Sequence, residues 1–192
     1  MTEPTYLPLL NSIAVNECKG EALLSAWAAT TKDKALADAL RFVAIREGEH
    51  SLAFTKRMCE LGHAVCEEKA YQVFKDFDAL LACVKSDATD MQKIERLTSG
   101  TRVERRAEQS GDKKNQRDAF TRFFDDTTID PQTGELLGRY IAEERDSGRR
   151  LRKEYDRVCS AGVQSSELAE LRARVDALRE EVARLRNVRN VA

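Results

Sequence analysis

Apolar residues recur every three or four positions along most of this chain, which is the spacing of one face of an α-helix. The pattern predicts a first helix over Leu7–Ala29 and a second over Lys34–Leu61, with Gly62 ending the second. Between them, Thr30-Thr31-Lys32-Asp33 offers side chains that cap helices. We therefore expect an antiparallel helical hairpin at the start of the chain.

The pattern is weaker in the middle of the chain. It predicts a third helix over Ala70–Val84 and a short one around Met91, Ile94 and Leu97. The stretch from Glu104 to Asp118 has a single alanine as its only apolar residue, so it cannot bury a face. We expect this stretch to be an exposed loop or a frayed helix.

Order is expected to resume with the aromatic residues of 119–124 and to continue in a long helix from Pro131 to about Val158. Proline suits the first turn of a helix, where its missing N–H is not needed. Ser160-Ala161-Gly162 is expected to end that helix.

The last part of the chain carries a heptad pattern, with leucine or valine at position a and leucine at position d. The positions are Leu168, Leu171, Val175, Leu178, Val182 and Leu185. Such a pattern favours a parallel dimer, so we expect homo-oligomers formed through this helix. The alternative is a helix that folds back onto its own bundle. The predicted organisation is a helical bundle over residues 1–162 and a coiled-coil tail over 163–192.

Composition narrows the classes of function. Lys and Arg number 32 and Asp and Glu number 33, so no bulk charge favours nucleic acid or an anionic membrane. The arginine-rich stretch between Arg145 and Arg157 is interleaved with acidic residues and predicts a solvated helix face. No apolar run approaches the roughly 18 residues of a membrane span, and the start of the chain is unlike a signal peptide. We expect an all-α cytoplasmic protein with no membrane partner.

Two polar residues interrupt the apolar stripe of the second predicted helix. Glu47 and His50 are spaced as Glu-x-x-His, which puts both side chains on one face about one turn apart. Burying a carboxylate and an imidazole is costly unless a partner, a proton or a metal ion satisfies them. Glu17 lies likewise on the apolar face of the first helix, and an antiparallel hairpin would bring it opposite the pair.

A weak internal repeat at an offset of 97 residues points to a further acidic residue. The capping stretch 30–33 recurs at 127–130, and Glu47 falls on Glu144 within the long predicted helix. Two related helical hairpins are what an internal duplication predicts.

On these residues the chain resembles the ferritin-like superfamily, and rubrerythrin-like proteins most closely. Bundles of that kind hold two metal ions with a Glu from each of two helices and a Glu-x-x-His from each of the other two. The resemblance implies a ferritin-like antiparallel helical bundle. Its metal ligands in this chain would be Glu17, Glu47, His50 and Glu144, with Glu21 as a less favoured substitute for Glu17.

The chain departs from the family pattern at two positions. Ser147 stands where the second imidazole would recur, and the same offset carries Glu17 onto Lys114, so no third-helix glutamate is assigned. Half of a two-metal site is present. Three carboxylates and one imidazole favour iron or manganese, and a single ion is chemically reasonable.

The residues leave two functional hypotheses. The resemblance implies iron handling or peroxide and oxygen chemistry, with an external redox partner because the five cysteines form no C-x-x-C pair. The alternative is a metal-free scaffold that self-associates or binds a partner through its tail. In that scaffold Glu47 and His50 would form a buried hydrogen-bonded pair, joined by Glu17, Glu144, Arg46 or Tyr140.

Overall fold

The computed structural model describes residues 4–74, 76–98 and 126–189, with side chains for all of these except 165–167 and 180–189. In this part of the chain the regular structure is helical, which confirms the all-α prediction. The helices are α1 (Leu7–Thr30), α2 (Lys34–Glu60), α3 (Phe77–Lys85), α4 (90–98) and α5 (Pro131–Arg189), with a short 3-10 helix at Glu67–Lys69. The chain divides into two compact units, Met1–Glu154 and Tyr155–Ala192. The predicted division after residue 162 stays a prediction.

The predicted hairpin is confirmed, and local hydrogen bonds define both ends of α2. The Asp33 side chain caps α2 by accepting a hydrogen bond of 3.0 Å from the Leu36 N–H. At the other end of α2, Gly62 adopts a φ of 82°, and the next N–H, that of His63, donates to the Met58 carbonyl at 2.9 Å. This left-handed glycine is a common way to end a helix.

The first part of α5 packs against both helices of the hairpin. The Tyr6 hydroxyl donates to Asp130 at 2.8 Å, and the Tyr140 hydroxyl donates to Glu17 at 2.9 Å. Residue numbers therefore rise together, and α5 runs parallel to α1 here. Contacts with α2 run in the opposite order, through the pairs Arg57–Thr133, His50–Glu143 and Arg46–Asp146. This part of α5 is thus antiparallel to α2.

Apolar faces of α1, α2 and α5 form the core, as the sequence pattern predicts. The buried members of the main cluster are Tyr6, Leu7, Leu10, Ile13, Ala14, Phe54, Met58, Leu137, Tyr140 and Ile141. Burying one such large side chain contributes about 1.5–3 kcal/mol. The cluster fixes the three helices that carry Glu17, His50 and Glu144.

The third predicted helix starts later than expected. Residues 70–74 are not helical, and α3 begins at Phe77. The Asn16 side chain accepts a hydrogen bond of 3.0 Å from the Val73 N–H and donates one of 2.7 Å to the Tyr71 carbonyl. Because α1 takes up these backbone groups, they do not form helical hydrogen bonds. The prediction of helix from Ala70 was therefore wrong.

The predicted end of the long helix was also wrong. Instead of stopping at Ser160-Ala161-Gly162, α5 continues to Arg189. Glycine inside a helix costs about 1 kcal/mol, but it does not by itself stop one. Gly162 does not adopt the left-handed conformation by which Gly62 ends α2, and no proline follows it.

Several expectations concern residues outside the described part of the chain. They are the exposed stretch 104–118 with Lys114, and the resumption of order over 119–124. The short helix expected near Met91 is confirmed as α4. Among the described helices, none combines the length and the apolar character needed to cross a membrane.

Candidate metal site

Three helices bring Glu17, His50 and Glu144 together. Glu17 comes from α1, His50 from α2 and Glu144 from α5, and one potential ligand atom of each lies within 4.8 Å of the others. Glu17 is 6% exposed and His50 4% exposed, while Glu144 is partly buried. Three of the four residues proposed from the sequence as ligands therefore converge, and we call them the Glu-His-Glu group.

The two ring nitrogens of His50 face different carboxylates. Nδ1 lies 3.1 Å from Oε2 of Glu17 and 3.6 Å from Oε1 of Glu144. Nε2 lies 2.8 Å from Oε2 of Glu143. Burial lowers the pKa of His50, but the hydrogen bonds to Glu17 and Glu143 outweigh it, so the pKa is raised. One nitrogen thus points into the Glu-His-Glu group and the other points away from it.

The Glu144 carboxylate carries an unsatisfied atom. Its Oε1 is buried and has no hydrogen-bond partner within the described residues. Buried polar atoms are nearly always bonded in proteins. Burial, together with the nearby charge of Glu17, raises the pKa of Glu144 to about 7. A cation bound at this point would interact with Oε1 of Glu144 and offset the repulsion between the Glu17 and Glu144 carboxylates.

Glu47 lies beside the Glu-His-Glu group rather than in it. Its carboxylate lies over Gly20 of α1, where a Cβ would clash with Oε2 of Glu47. In the part of the chain that the structure describes, Glu47 is not among the residues whose ligand atoms share the 4.8 Å cluster. Burial and the charges of Glu17 and Glu144 raise the pKa of Glu47 well above its usual range. Its role as a metal ligand stays a prediction.

Glu21, the substitute considered for Glu17, is exposed and lies over Gly48 of α2. A Cβ at Gly48 would be 2.8 Å from Cδ of Glu21, which mirrors the contact of Glu47 with Gly20. These two glycines make room for a glutamate of the facing helix. Glu17, not Glu21, is the first-helix residue that reaches His50.

Tyr140 contributes a further polar contact to the Glu-His-Glu group. Its hydroxyl donates to Oε1 of Glu17 at 2.9 Å, and its ring packs edge-on against the His50 ring with centroids 5.0 Å apart. Burial and the neighbouring carboxylates raise the pKa of Tyr140, so the hydroxyl remains a donor. The bond fixes one oxygen of Glu17 and leaves the other facing His50.

Glu143 was not proposed from the sequence as a site residue. It follows Tyr140 by three residues on α5, a spacing that puts both side chains on neighbouring parts of one face. Burial raises the pKa of Glu143, but the hydrogen bonds from His50 and Arg139 outweigh it and leave the pKa low. Its partner His50 is 93 residues away in the sequence, so no local spacing distinguishes Glu143 from the other acidic residues of α5.

A fixed positive charge lies next to the position that lacks the second imidazole. Nη1 of Arg46 donates to the Glu143 carbonyl at 3.0 Å, to Asp146 at 3.1 Å and to the Ser147 hydroxyl at 3.1 Å. Ser147 is 3% exposed. The side chain of Arg46 therefore holds the polar groups of α5 at the place where the family pattern would have a histidine.

A cavity of about 320 Å³ is lined in part by His50. Its polar lining includes Tyr140 and Glu143 as well as His50. The remaining wall is formed by Glu49, Leu52, Ala53, Leu136 and Arg139. The cavity thus borders both His50 and Glu143, whereas Glu17 and Glu144 are not part of its lining.

The chain was compared with models of known protein families, with curated protein sequences and with solved structures, and none of them matched. The chain is thus assigned to no family, and its likeness to ferritin-like proteins rests on its own residues alone. Over the described residues, the geometry establishes a helical structure with a Glu-His-Glu group between three of its helices.

Proposed function

We propose that Glu17, His50 and Glu144 bind a single metal ion, iron or manganese. The observation that carries the proposal is the orientation of His50, whose Nδ1 faces two carboxylates while Nε2 is 2.8 Å from a third. Histidines that ligate metals commonly donate their other N–H to a carboxylate, which fixes the tautomer and the ring. Glu143 is placed to accept that hydrogen bond and so keep Nδ1 unprotonated toward the ion.

The donor set supports a hard-leaning divalent ion. Two carboxylates and one imidazole suit iron or manganese better than copper(I). Tyr140 holds Oε1 of Glu17, which leaves Oε2 directed at the His50 ring. The buried Oε1 of Glu144, which has no hydrogen-bond partner in the described chain, is the third donor. Each of the three proposed ligands therefore has one donor atom oriented toward the proposed ion.

Arg46 supports a single ion rather than a pair. Its guanidinium is bonded to Asp146 and Ser147, next to where the family pattern places a second histidine. The Ser147 hydroxyl accepts a hydrogen bond from Arg46, and the arginine charge at this point repels a second cation. We therefore expect one equivalent of metal per chain.

The proposed activity is rubrerythrin-like, in iron handling or in peroxide and oxygen chemistry. A bound iron ion with open coordination positions supplies redox chemistry toward such small oxidants. Electrons would come from an external redox partner.

Metal analysis of protein purified without chelators tests this proposal. We expect about one iron or manganese ion per chain, lost in His50→Ala and retained in His63→Ala, the matched change at the other of the two histidines. Ferrous protein should also consume hydrogen peroxide faster than His50→Ala treated in the same way. Equal metal content in the two variants, or a wild type that takes up neither ion on reconstitution, would contradict the proposal.

A second function is favoured by the same hydrogen bonds. A doubly protonated His50 would donate to Glu17 and to Glu143, and its raised pKa agrees with that state. The group would then be a structural ion network in a scaffold that assembles through its tail. This scaffold predicts a melting temperature that added iron or manganese does not change, whereas a metal site predicts a rise with metal concentration.

A further inference from the structure

The compact unit Tyr155–Ala192 leaves a stripe of large apolar side chains in contact with solvent. Leu168, Leu171, Val175 and Leu178 are between 46% and 59% exposed. They alternate spacings of three and four along α5, so they lie on one face of the helix. Scattered exposed leucines are ordinary, but a continuous stripe at this spacing indicates an interface.

Charged residues beside the stripe differ between its two edges. With Leu168, Val175 and Val182 at position a, all three e positions are arginine, namely Arg172, Arg179 and Arg186. The g positions are Glu167, Arg174 and Glu181. One edge is thus uniformly basic and the other is mainly acidic.

These edges distinguish the two orientations in which helices can pair. In a parallel coiled coil, position g of one helix faces position e of the other, whereas in an antiparallel pair e faces e. Antiparallel pairing would set arginine against arginine along one whole edge. Parallel pairing sets Glu167 against Arg172 of the partner subunit and Glu181 against Arg186 of the partner subunit. The charges therefore match a second copy of this chain in the parallel orientation.

We propose that two copies of the chain pair in parallel and in register through the exposed stripe of α5. This interface is independent of the metal site. The register has one mismatch, because Arg174 faces Arg179 of the partner subunit. Arg179 contacts Asp176 of its own helix at 3.3 Å, which offsets part of that repulsion. We expect a reversible dimer whose strength the mismatch limits.

A charge-swap cycle in the full-length chain tests the orientation. Arg174→Glu and Arg179→Glu each turn two repulsive contacts into attractive ones, so each should tighten the dimer by roughly 10-fold. The double variant restores like charges and should dimerise about as weakly as the wild type. Dimer dissociation constants are measured by sedimentation equilibrium. Arg184→Glu is the matched control, because position c faces away from the partner and should have little effect.

Disruption of the stripe tests the surface itself. Leu171→Lys should leave the helical circular dichroism signal nearly unchanged, because Leu171 is exposed, and should reduce the measured mass to that of one chain. A wild type that stays monomeric at every concentration would overturn the proposal. So would a dimer that Leu171→Lys does not affect, or a cycle in which the two arginine changes show no coupling.

Discussion

Replacing Glu144 with glutamine should stabilise the metal-free protein. Oε1 of Glu144 is buried without a hydrogen-bond partner in the described structure, and an unsatisfied buried acceptor costs about 1–3 kcal/mol. The raised pKa of Glu144 indicates a destabilisation of similar size, because a shift from 4.5 to about 7 corresponds to about 3 kcal/mol. Glutamine removes the charge and with it the repulsion from the Glu17 carboxylate. At pH 8 we therefore expect a gain of about 1–3 kcal/mol in the free energy of unfolding.

The gain should depend on pH. Because the folded pKa of Glu144 is about 7 and the ordinary value is 4.5, the wild type loses stability as pH rises from about 4.5 to 7. Glutamine does not titrate, so the advantage of the variant should be absent below pH 4.5 and complete above pH 7. Urea unfolding in the presence of a chelator, at pH 4.5 and at pH 8, measures both values.

The neighbouring residue provides the control. Glu143→Gln is the same change one position earlier, but Glu143 is bonded to His50 at 2.8 Å and to Arg139 at 3.1 Å. Losing the charge-assisted bond to His50 should destabilise the metal-free protein by about 1–3 kcal/mol. If Glu144→Gln lost stability at pH 8 as Glu143→Gln does, then Glu144 would be satisfied without a cation, and the reasoning would be refuted.

Two further predictions concern the frame of the site. Asn16→Ala should lower the free energy of unfolding by about 1–3 kcal/mol and speed hydrogen exchange of the Val73 amide. Unchanged exchange would mean that Asn16 does not hold the segment around Val73 in place. Asp130→Ala should cost about 0.5–2 kcal/mol in urea unfolding, and Asp130→Asn less, because asparagine still caps α5 through the Thr133 N–H. Burial raises the pKa of Asp130, but hydrogen bonds from Thr133 and Arg57 help to hold it well below 3.8. The charged form of Asp130 should therefore stabilise the wild type above about pH 4, and this stabilisation should be lost progressively as the pH falls further. If the free energy of unfolding of Asp130→Asn fell by as much over the same pH range, this prediction would be contradicted.

The helical hairpin could be predicted because one face of each helix is apolar over many turns. The prediction failed over residues 70–74 because their backbone is bonded to Asn16, which lies 55 residues from Tyr71 in the sequence. No local pattern signals such a bond. The predicted end of the long helix at Gly162 was wrong because glycine weakens a helix without ending it. The flanking residues favour helix strongly enough for α5 to continue.

Glu17, His50 and Glu144 could be picked out because ionisable groups are rare on apolar faces, and the structure places them together. Glu143 was missed because it lies at the edge of the apolar face, where a carboxylate needs no explanation. Only the packing of α5 against α2 brings it to Nε2 of His50. Arg46 was considered only as a partner of a buried pair, whereas it binds the polar groups of α5.

The most direct measurement is a titration of the metal-free protein with manganous ion, followed by the electron paramagnetic resonance signal of the free ion. We expect the wild type and His63→Ala to remove one equivalent per chain before that signal grows. His50→Ala and Glu144→Gln should let it grow from the first addition. Two equivalents bound by the wild type, or one still bound by His50→Ala, would contradict a single ion held by Glu17, His50 and Glu144.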